Sequence, residues 1–522
     1  MSAAREVLRQ KLELPALQEL RAGELAAEVE LARLPALADR ASAAGCRLAT
    51  LFATDEGAPG FALHHVWISP GPAAFVRIWA RVPAEEPRFP SISARHPVAN
   101  WFEREVMDYF GLVPEGHPNP FPVALHDDWP DDTWVLRKAF DAAQAVPRAS
   151  GSHHPFRPVT GEGVFHVPVG PVHAGIIEPG HFRFGVAGEP VLYLQLRLFY
   201  VHKGIEKRFE TLPWRHGIFL AESISGDTAV GHALAHAHAF ERLLGVEVPL
   251  RARYLRTVLL ELERVYNHVA DVGALATDVA FSVPASRAQA LREELVGVHE
   301  RLFGSRLLRG TVVLGGVACE LTLGRRRELA AHLERLGQEF DDLVTLLIDS
   351  GTFTDRVDRA GILENQVARD LGIVGMAGRA SGIDVDLRRD LPHDAYGDLR
   401  FLVAVEEGGD ARARLMVRAR EVEQSLSILR HALEDLPEGS SLARLPEVLP
   451  RAASALGWAE AWRGECLHWV QTDDQGRVAR VKITDPSFKN WPGLARAVPG
   501  NILPDFPVIN KSFNLSYSGN DR

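Results

Sequence analysis

The stretch DTAVGHALAHAHAFERLLGVEVPLRARYLRTVLLELERVYNHVADVGALA, residues 227–276, reads as two successive helices. The first closes at Gly245 and the second opens after Pro249, and apolar residues recur at helical spacing in both. Further amphipathic helices are expected at 285–303, 326–348 and 410–434, together enough for a bundle core. On the N-terminal side of these helices, FHVPVGPVHAG and HFRFGVAGEPVLYLQLRLFYVHKG read as strands and turns, with Gly188 and Glu189 at a hairpin. On the C-terminal side, LHWVQTDDQGRVARVKITDP (467–486) alternates as a hairpin does, before a tail expected to be irregular.

Residues 1–138 read as a small α/β unit. Helical patterns run to about residue 45, and three β-rich runs follow, RLATLFA, FALHHVWI and AAFVRIWARV, which suggest an antiparallel sheet. The segment 99–120 then gives a short amphipathic helix ended by Gly111 and a Pro-rich loop. Small, polar and Pro-containing residues at 139–160 read as a linker, with a boundary near residue 150. The expected fold class is therefore α+β: this small unit, then a large, mainly helical domain over 161–522 with a peripheral β-sheet.

With 522 residues, 46% hydrophobic and 24% charged, the chain has the composition of a globular protein with large cores. A net charge of −10 and no basic stripe argue against nucleic acid as a partner. Cys46, Cys319 and Cys466 stand singly, giving no disulfide framework and no iron–sulfur cluster, and a reducing cytoplasm fits. No signal-like segment opens the chain and no run approaches the length of a membrane span. No Gly-rich dinucleotide loop follows a strand, so NAD enters only through family association.

Two signatures carry a resemblance. WFEREVMDYFGLVPEGHP (101–118), with Glu103, Arg104, Glu105, Asp108, Phe110, Gly111, Gly116, His117 and Pro118, resembles the motif of the 30-kDa subunit of respiratory complex I. From residue 165 onwards GPVHAGIIEPGHFRF, FYVHKGIEKRFE, RTVLLELERVYNH, GRASGIDVDLR, DARARLMVRARE and RVKITDPSFKNWPGL follow in order. They resemble the 49-kDa subunit and the large subunits of formate hydrogenlyase-type nickel–iron hydrogenases. The EPGHFRF spacing favours the hydrogenase branch, and a tail stopping at Asp521-Arg522 favours complex I behaviour.

The resemblance implies a metal site that this sequence has lost. In ESISGDTAVGH (222–232) the nickel-binding Cys-x-x-Cys positions are Ser225 and Thr228, with His232 following, and the second pair falls on Ser516 and Gly519. Hydroxyls do not replace thiolates, so no nickel is expected. By the same resemblance a quinone head group would meet His181, with His173 a lesser candidate, while the family's tyrosine position falls on Trp214. An indole N–H donates one hydrogen bond but cannot deliver a proton as a phenol can. Glu206 resembles a proton-passing carboxylate whose pKa burial would raise, and if exposed it would pair with Lys207 or Lys203. His268 resembles a histidine facing a neighbour's cluster. Arg379, Ser381 and Asp384, with Asp386 and Arg388, resemble a loop bordering the cavity. Arg256, Glu263 and Arg264 are either a solvated helix face or meet partner charges.

The expected protein is a peripheral-arm subunit of a complex I-like or hydrogenase-related, ion-translocating oxidoreductase without hydrogenase activity. It would lie on the cytoplasmic side of the membrane through its partners. Those are an iron–sulfur small subunit and membrane subunits of complex I H-like and antiporter-like type. No cofactor is expected on its own cysteines, and a quinone or other acceptor would react in the metal-free cavity. Two alternatives remain: a non-catalytic scaffold, favoured if His181 and Trp214 do not share a cavity, and a zinc hydrolase using the i, i+4 pair His232 and His236, with His238 on the same helix.

Overall fold

A computed structural model describes residues 2–150, 154–156, 158–173 and 177–522. In the first unit, helix α1 (Ser2–Leu12) precedes strands β1 (Gln18–Arg21) and β2 (Glu24–Glu28), helix α2 (Leu34–Ala43) and the long strands β3 (Arg47–Gly57), β4 (Gly60–Pro70) and β5 (Ala73–Val82). The sheet order is β1-β2-β5-β4-β3. The three long strands pair antiparallel as expected, but β2 joins β5 in parallel, Glu24 opposite Phe75 and Glu28 opposite Trp79. QELRAGELAAE is therefore not helical, although Ala, Leu and Glu favour helix. Gly23 turns the chain at φ 72°, and pairing with β5 overrides local propensity.

Short strands β6 (Arg88–Pro90) and β7 (Val113–Glu115) flank helix α3 (Asn100–Phe110), which ends at Gly111 in the left-handed conformation, φ 68°. From residue 116 to 163 the described chain has no helix or strand.

The second unit opens with an antiparallel sheet of β8 (Val164–Val169), β9 (His181–Ala187) and β10 (Val191–Arg197), with Gly188 turning the β9–β10 hairpin. Helices α4 (Ile205–Phe209), α5 (Gly217–Ala221), α6 (Ala229–Leu244), α7 (Leu250–Asp278), α8 (Ser282–Phe303) and α9 (Leu323–Ile348) follow, with a small ribbon of β11 (Val312–Val313) and β12 (Gly316–Val317). Short helices α10 (Gly351–Val357), α11 (Asn365–Asp370), α12 (Gly375–Arg379) and α13 (Leu387–Asp390) lead to α14 (Ala411–Glu434). Strands β13 (Ser454–Ala461), β14 (Gly464–Thr472) and β15 (Val478–Thr484) form an antiparallel sheet. The tail is helical and not irregular: α15 (Pro486–Ala497), α16 (Phe506–Phe513) and α17 (Tyr517–Asp521). Asp485 and Ser516 cap α15 and α17 by accepting backbone N–H bonds.

The β8–β10 sheet is the peripheral one. The β13–β15 sheet is interior: one face lies on α6, and the other meets the first unit's sheet. Phe52, Val66, Ile68 and Phe75 pack there against Leu456, Trp458, Leu467 and Trp469, so β4 is covered on both faces. Polar contacts cross the same junction: Glu465 on β14 pairs with Arg47 of β3 at 2.5 Å, and Lys489 of α15, itself 2.7 Å from Glu465, donates to the Leu48 carbonyl at 3.2 Å. Among the described residues no helix is long and apolar enough to cross a membrane.

Candidate functional site

The turn between α5 and α6 brings Ser225, Asp227 and Thr228 to the N-terminal end of α6, where they meet α17 from the other end of the chain. Ser225 Oγ lies 2.8 Å from Ser516 Oγ, and Ser516 Oγ in turn accepts the Gly519 N–H at 2.8 Å. Thr228 Oγ1 donates to Asp227 Oδ1 at 3.1 Å. Asp227 also receives both terminal nitrogens of Arg463, at 2.6 and 2.7 Å, and that guanidinium lies 3.8 Å from the Trp462 ring centroid. Trp462 Nε1 donates to the Asp227 carbonyl at 2.9 Å.

The fold thus brings together the four positions at which the sequence resemblance places nickel ligands, and the groups present there do not fit nickel. Ser225, Thr228 and Ser516 are hydroxyls engaged in hydrogen bonds of their own, and the fourth position, Gly519, has no side chain. A Cβ there would lie 2.7 Å from the Asp485 carboxyl carbon and closer still to Oδ2, so the aspartate occupies the space a cysteine would need. Asp485 Oδ2 is 2.9 Å from His232 Nε2, and His232 Nδ1 is 3.1 Å from His468 Nε2. Ser225, Thr228, His232 and Ser516 are all buried.

Glu263 reaches the same helix end. Its two oxygens accept the N–H groups of Val230 (2.7 Å) and Gly231 (2.9 Å), and burial, opposed by these bonds, pushes its carboxyl up to about 8. His236 points elsewhere, stacked on Phe209 with ring centroids 5.0 Å apart, and burial lowers its pKa to about 3. His232 and His236 therefore do not form a chelating pair. His238 lies apart from both, with Nε2 3.0 Å from Asp394 and Nδ1 donating to the Trp458 carbonyl.

The α7 charges are not a solvated face. Arg256 and Glu241 pair at 2.5 Å, while Glu421 on α14 accepts from His268 Nε2 (2.9 Å) and pairs with Arg264 (3.1 Å) and Arg379 (2.7 Å). Arg379 also binds Glu460, and Arg388 joins Asp386 to Glu261. Each of these groups is buried, so partner charges on α6, α12 and α14 offset their desolvation. Burial lowers the His268 pKa despite Glu421. The His268 ring meets Trp462 edge-on at 5.9 Å, which links this network to the Asp227 turn.

Glu206 requires a correction. It is buried, but its pKa is not raised: burial opposes ionisation, and Arg480 (2.7 Å), Lys482 (3.5 Å) and Arg522 (3.4 Å) outweigh it and hold the carboxyl well below its ordinary range. It is a fixed carboxylate rather than one poised to carry protons. Lys207 pairs with Glu210 instead, and Lys203 donates to the carbonyls of Ser223 and Ile224.

The remaining candidates are scattered. His181 Nδ1 lies 3.3 Å from the Gly170 carbonyl and His173 Nε2 2.8 Å from that of Gly180, so both bridge the β8–β9 connection. Trp214 stacks on Phe240 of α6 at 6.0 Å with an interplanar angle of 6°. His181 and Trp214 thus pack against different parts of the fold. Asp384 is exposed and bound to Arg389 at 2.6 Å, whereas Asp386, two residues on, points inward.

Motif spacing alone does not single out Asp227, Cys466, His468, Trp462, Arg463 and Asp485, which surround the loop. Asp227 lies within the 222–232 motif, and Cys466-x-His468 at strand spacing is the signal that could have found two more. Open clefts lie elsewhere, including one of 550 Å3 between the two units beside Cys46, Trp67, Ile373 and Lys489.

Comparison with known proteins agrees with this architecture. The family model "Respiratory-chain NADH dehydrogenase, 49 Kd subunit" matches residues 278–457 and 446–522, and "Respiratory-chain NADH dehydrogenase, 30 Kd subunit" matches 27–146. "Formate hydrogenlyase subunit 5" of Escherichia coli (strain K12) is 34% identical over 485 residues, covering 91% of this chain and 84% of that protein. An NADH-quinone oxidoreductase subunit of Rhodopseudomonas palustris (strain BisA53) is 28% identical, covering 91% of this chain and 90% of that protein. A chain from the structure of the membrane-bound sulfane sulfur reductase, an archaeal respiratory membrane complex, is similar with a TM-score of 0.66 at 26% identity, over 70% of this chain and 100% of that one. With both units matched in order and the formate hydrogenlyase relative aligned over most of its length, this chain belongs to the family of complex I 30-kDa/49-kDa subunits and related hydrogenase large subunits.

Proposed function

We propose that this chain is a peripheral-arm subunit of a membrane-associated, complex I-like oxidoreductase, that it has no nickel–iron hydrogenase activity, and that it serves coupling rather than metal-centred hydrogen chemistry. The observation carrying this reading is the 2.8 Å contact between Ser225 and Ser516, with the Asp485 carboxylate in the room of a side chain at 519. Electrons arrive on an iron–sulfur cluster of a small partner subunit, and membrane subunits of antiporter-like type hold the assembly at the inner face of the membrane. Purification from native membranes is expected to recover such partners, with no hydrogen uptake or evolution and no nickel. Recovery without a cluster-bearing small subunit, or with hydrogenase activity, overturns the proposal.

A second reading keeps a substrate: a quinone or other acceptor reduced against the half-buried imidazole of His181 at the start of β9. A loss of acceptor reduction in His181→Ala, with the complex still assembled, favours it over pure coupling.

A further inference from the structure

Strand alternation puts Cys466 and His468 on one face of β14, and that face lies on α6, where His232 looks back at them. Asp485, at the start of α15, closes the group from the side of the missing 519 side chain. One ligand atom from each of His232, Cys466 and Asp485 lies within 4.8 Å of the other two, with His232 Nε2 2.9 Å from Asp485 Oδ2 and 4.0 Å from Cys466 Sγ, and all three residues are buried. We propose that these three atoms bind a divalent cation of borderline softness, zinc in the first instance, as a metal site relocated from the lost nickel positions.

The donor set suits the ion. Thiolate, imidazole and carboxylate are the ordinary ligands of zinc, and a soft sulfur disfavours magnesium or calcium. The hydrogen bonds accommodate it in one of the two tautomers open to His232. His232 Nδ1 and His468 Nε2, 3.1 Å apart, share one hydrogen. When His232 donates it, Nε2 is left as a bare lone pair 2.9 Å from a carboxylate oxygen, an arrangement that needs a proton or a cation between them. His468 is then the outer partner that orients a metal-bound imidazole, as such partners commonly do. The other Asp485 oxygen is already engaged, accepting the Ser487 N–H at 2.6 Å, so Oδ2 is the one left to coordinate.

The distances require small adjustments. Bond lengths of about 2.0–2.3 Å at tetrahedral angles put ligand atoms roughly 3.3–3.6 Å apart. The 2.9 Å nitrogen–oxygen separation is slightly short and the 4.0 Å sulfur–nitrogen separation slightly long, each within reach of side-chain rotation. Three protein ligands leave a fourth position for water. The inference does not depend on the coupling role, because it concerns a metal ion and no turnover.

The test uses the full chain carrying Cys46→Ser and Cys319→Ser, which leaves Cys466 as the only thiol and does not touch the site. Zinc analysis after dialysis, and titration with cobalt(II) followed by absorption spectroscopy, are the measurements. Near-stoichiometric metal and a thiolate-to-cobalt charge-transfer band are expected, and Asp485→Asn in the same background should weaken binding at least tenfold. Absence of that band in the double variant, or metal retained at background-corrected stoichiometry without it, overturns the proposal, leaving a plain His232–Asp485 hydrogen bond.

Discussion

The Arg522 guanidinium lies 2.8 Å from the Glu105 carboxylate, so the last residue of the chain is paired with the middle of α3 in the first unit. Lys482 binds the same carboxylate at 2.7 Å, and both cations are buried. Removing Glu105 leaves two desolvated positive charges facing one another. Glu105→Ala should therefore cost about 3–5 kcal/mol, measured by chemical denaturation of the full chain. A loss below about 1 kcal/mol would mean that water or Glu206 compensates.

Asp108 gives a pH signature. Its Oδ2 accepts the N–H groups of Val123, Ala124 and Leu125, leaving Oδ1 for a proton, and burial raises the carboxyl from 3.8 to about 6. A folded pKa above the unfolded one means that the contribution is fully present below about pH 4 and is lost as pH rises through 6. Asp521, also pushed up to about 6 by burial, has the same sign. Asp108→Asn should flatten the fall in stability between pH 4 and 6 by up to about 3 kcal/mol. Urea denaturation across that range decides it, and an unchanged slope counts against a protonated Asp108.

Gly519 should resist every larger residue. Gly519→Ala forces a methyl against the Asp485 carboxylate, and overpacking of this kind costs about 1–3 kcal/mol. Restoring all four cysteines should accordingly fail to restore nickel, which metal analysis of the quadruple variant can check.

Trp214 is expected to matter for packing. Its ring stacks on Phe240 while remaining half-buried, so Trp214→Ala should lower stability by about 2–3 kcal/mol, less than a fully buried tryptophan. Trp214→Phe should recover most of that loss. Equal losses for the two variants, read by thermal melting, would show that the indole N–H and not the stacked ring carries the effect.

Much of the fold is legible in the sequence because periodicity and punctuation agree. Gly111, Gly245 and Pro249 stand at the helix ends that they mark, and the helices expected at 285, 326 and 410 begin within three residues of those positions. The early strands β1 and β2 are hidden by helix-forming residues whose conformation is set by β5, a partner remote in sequence. The tail reads as irregular because α16 and α17 are short and their caps, Asp505 and Ser516, carry no periodic signal. At the site, motif spacing locates Ser225, Thr228, His232 and Ser516, but not what surrounds them. Glu206 shows why: the sequence leaves its burial open, and the sign of its pKa depends on three cations that only tertiary structure brings together.

A shared apolar layer, Glu465 with Arg47, and Glu105 with Arg522 and Lys482 fasten the two units face to face. Cleavage within residues 139–160 should leave two fragments that elute as one species and separate only on denaturation. The covalent fusion then acts as a concentration device during assembly, and two separately made polypeptides with these surfaces could dock in the same way.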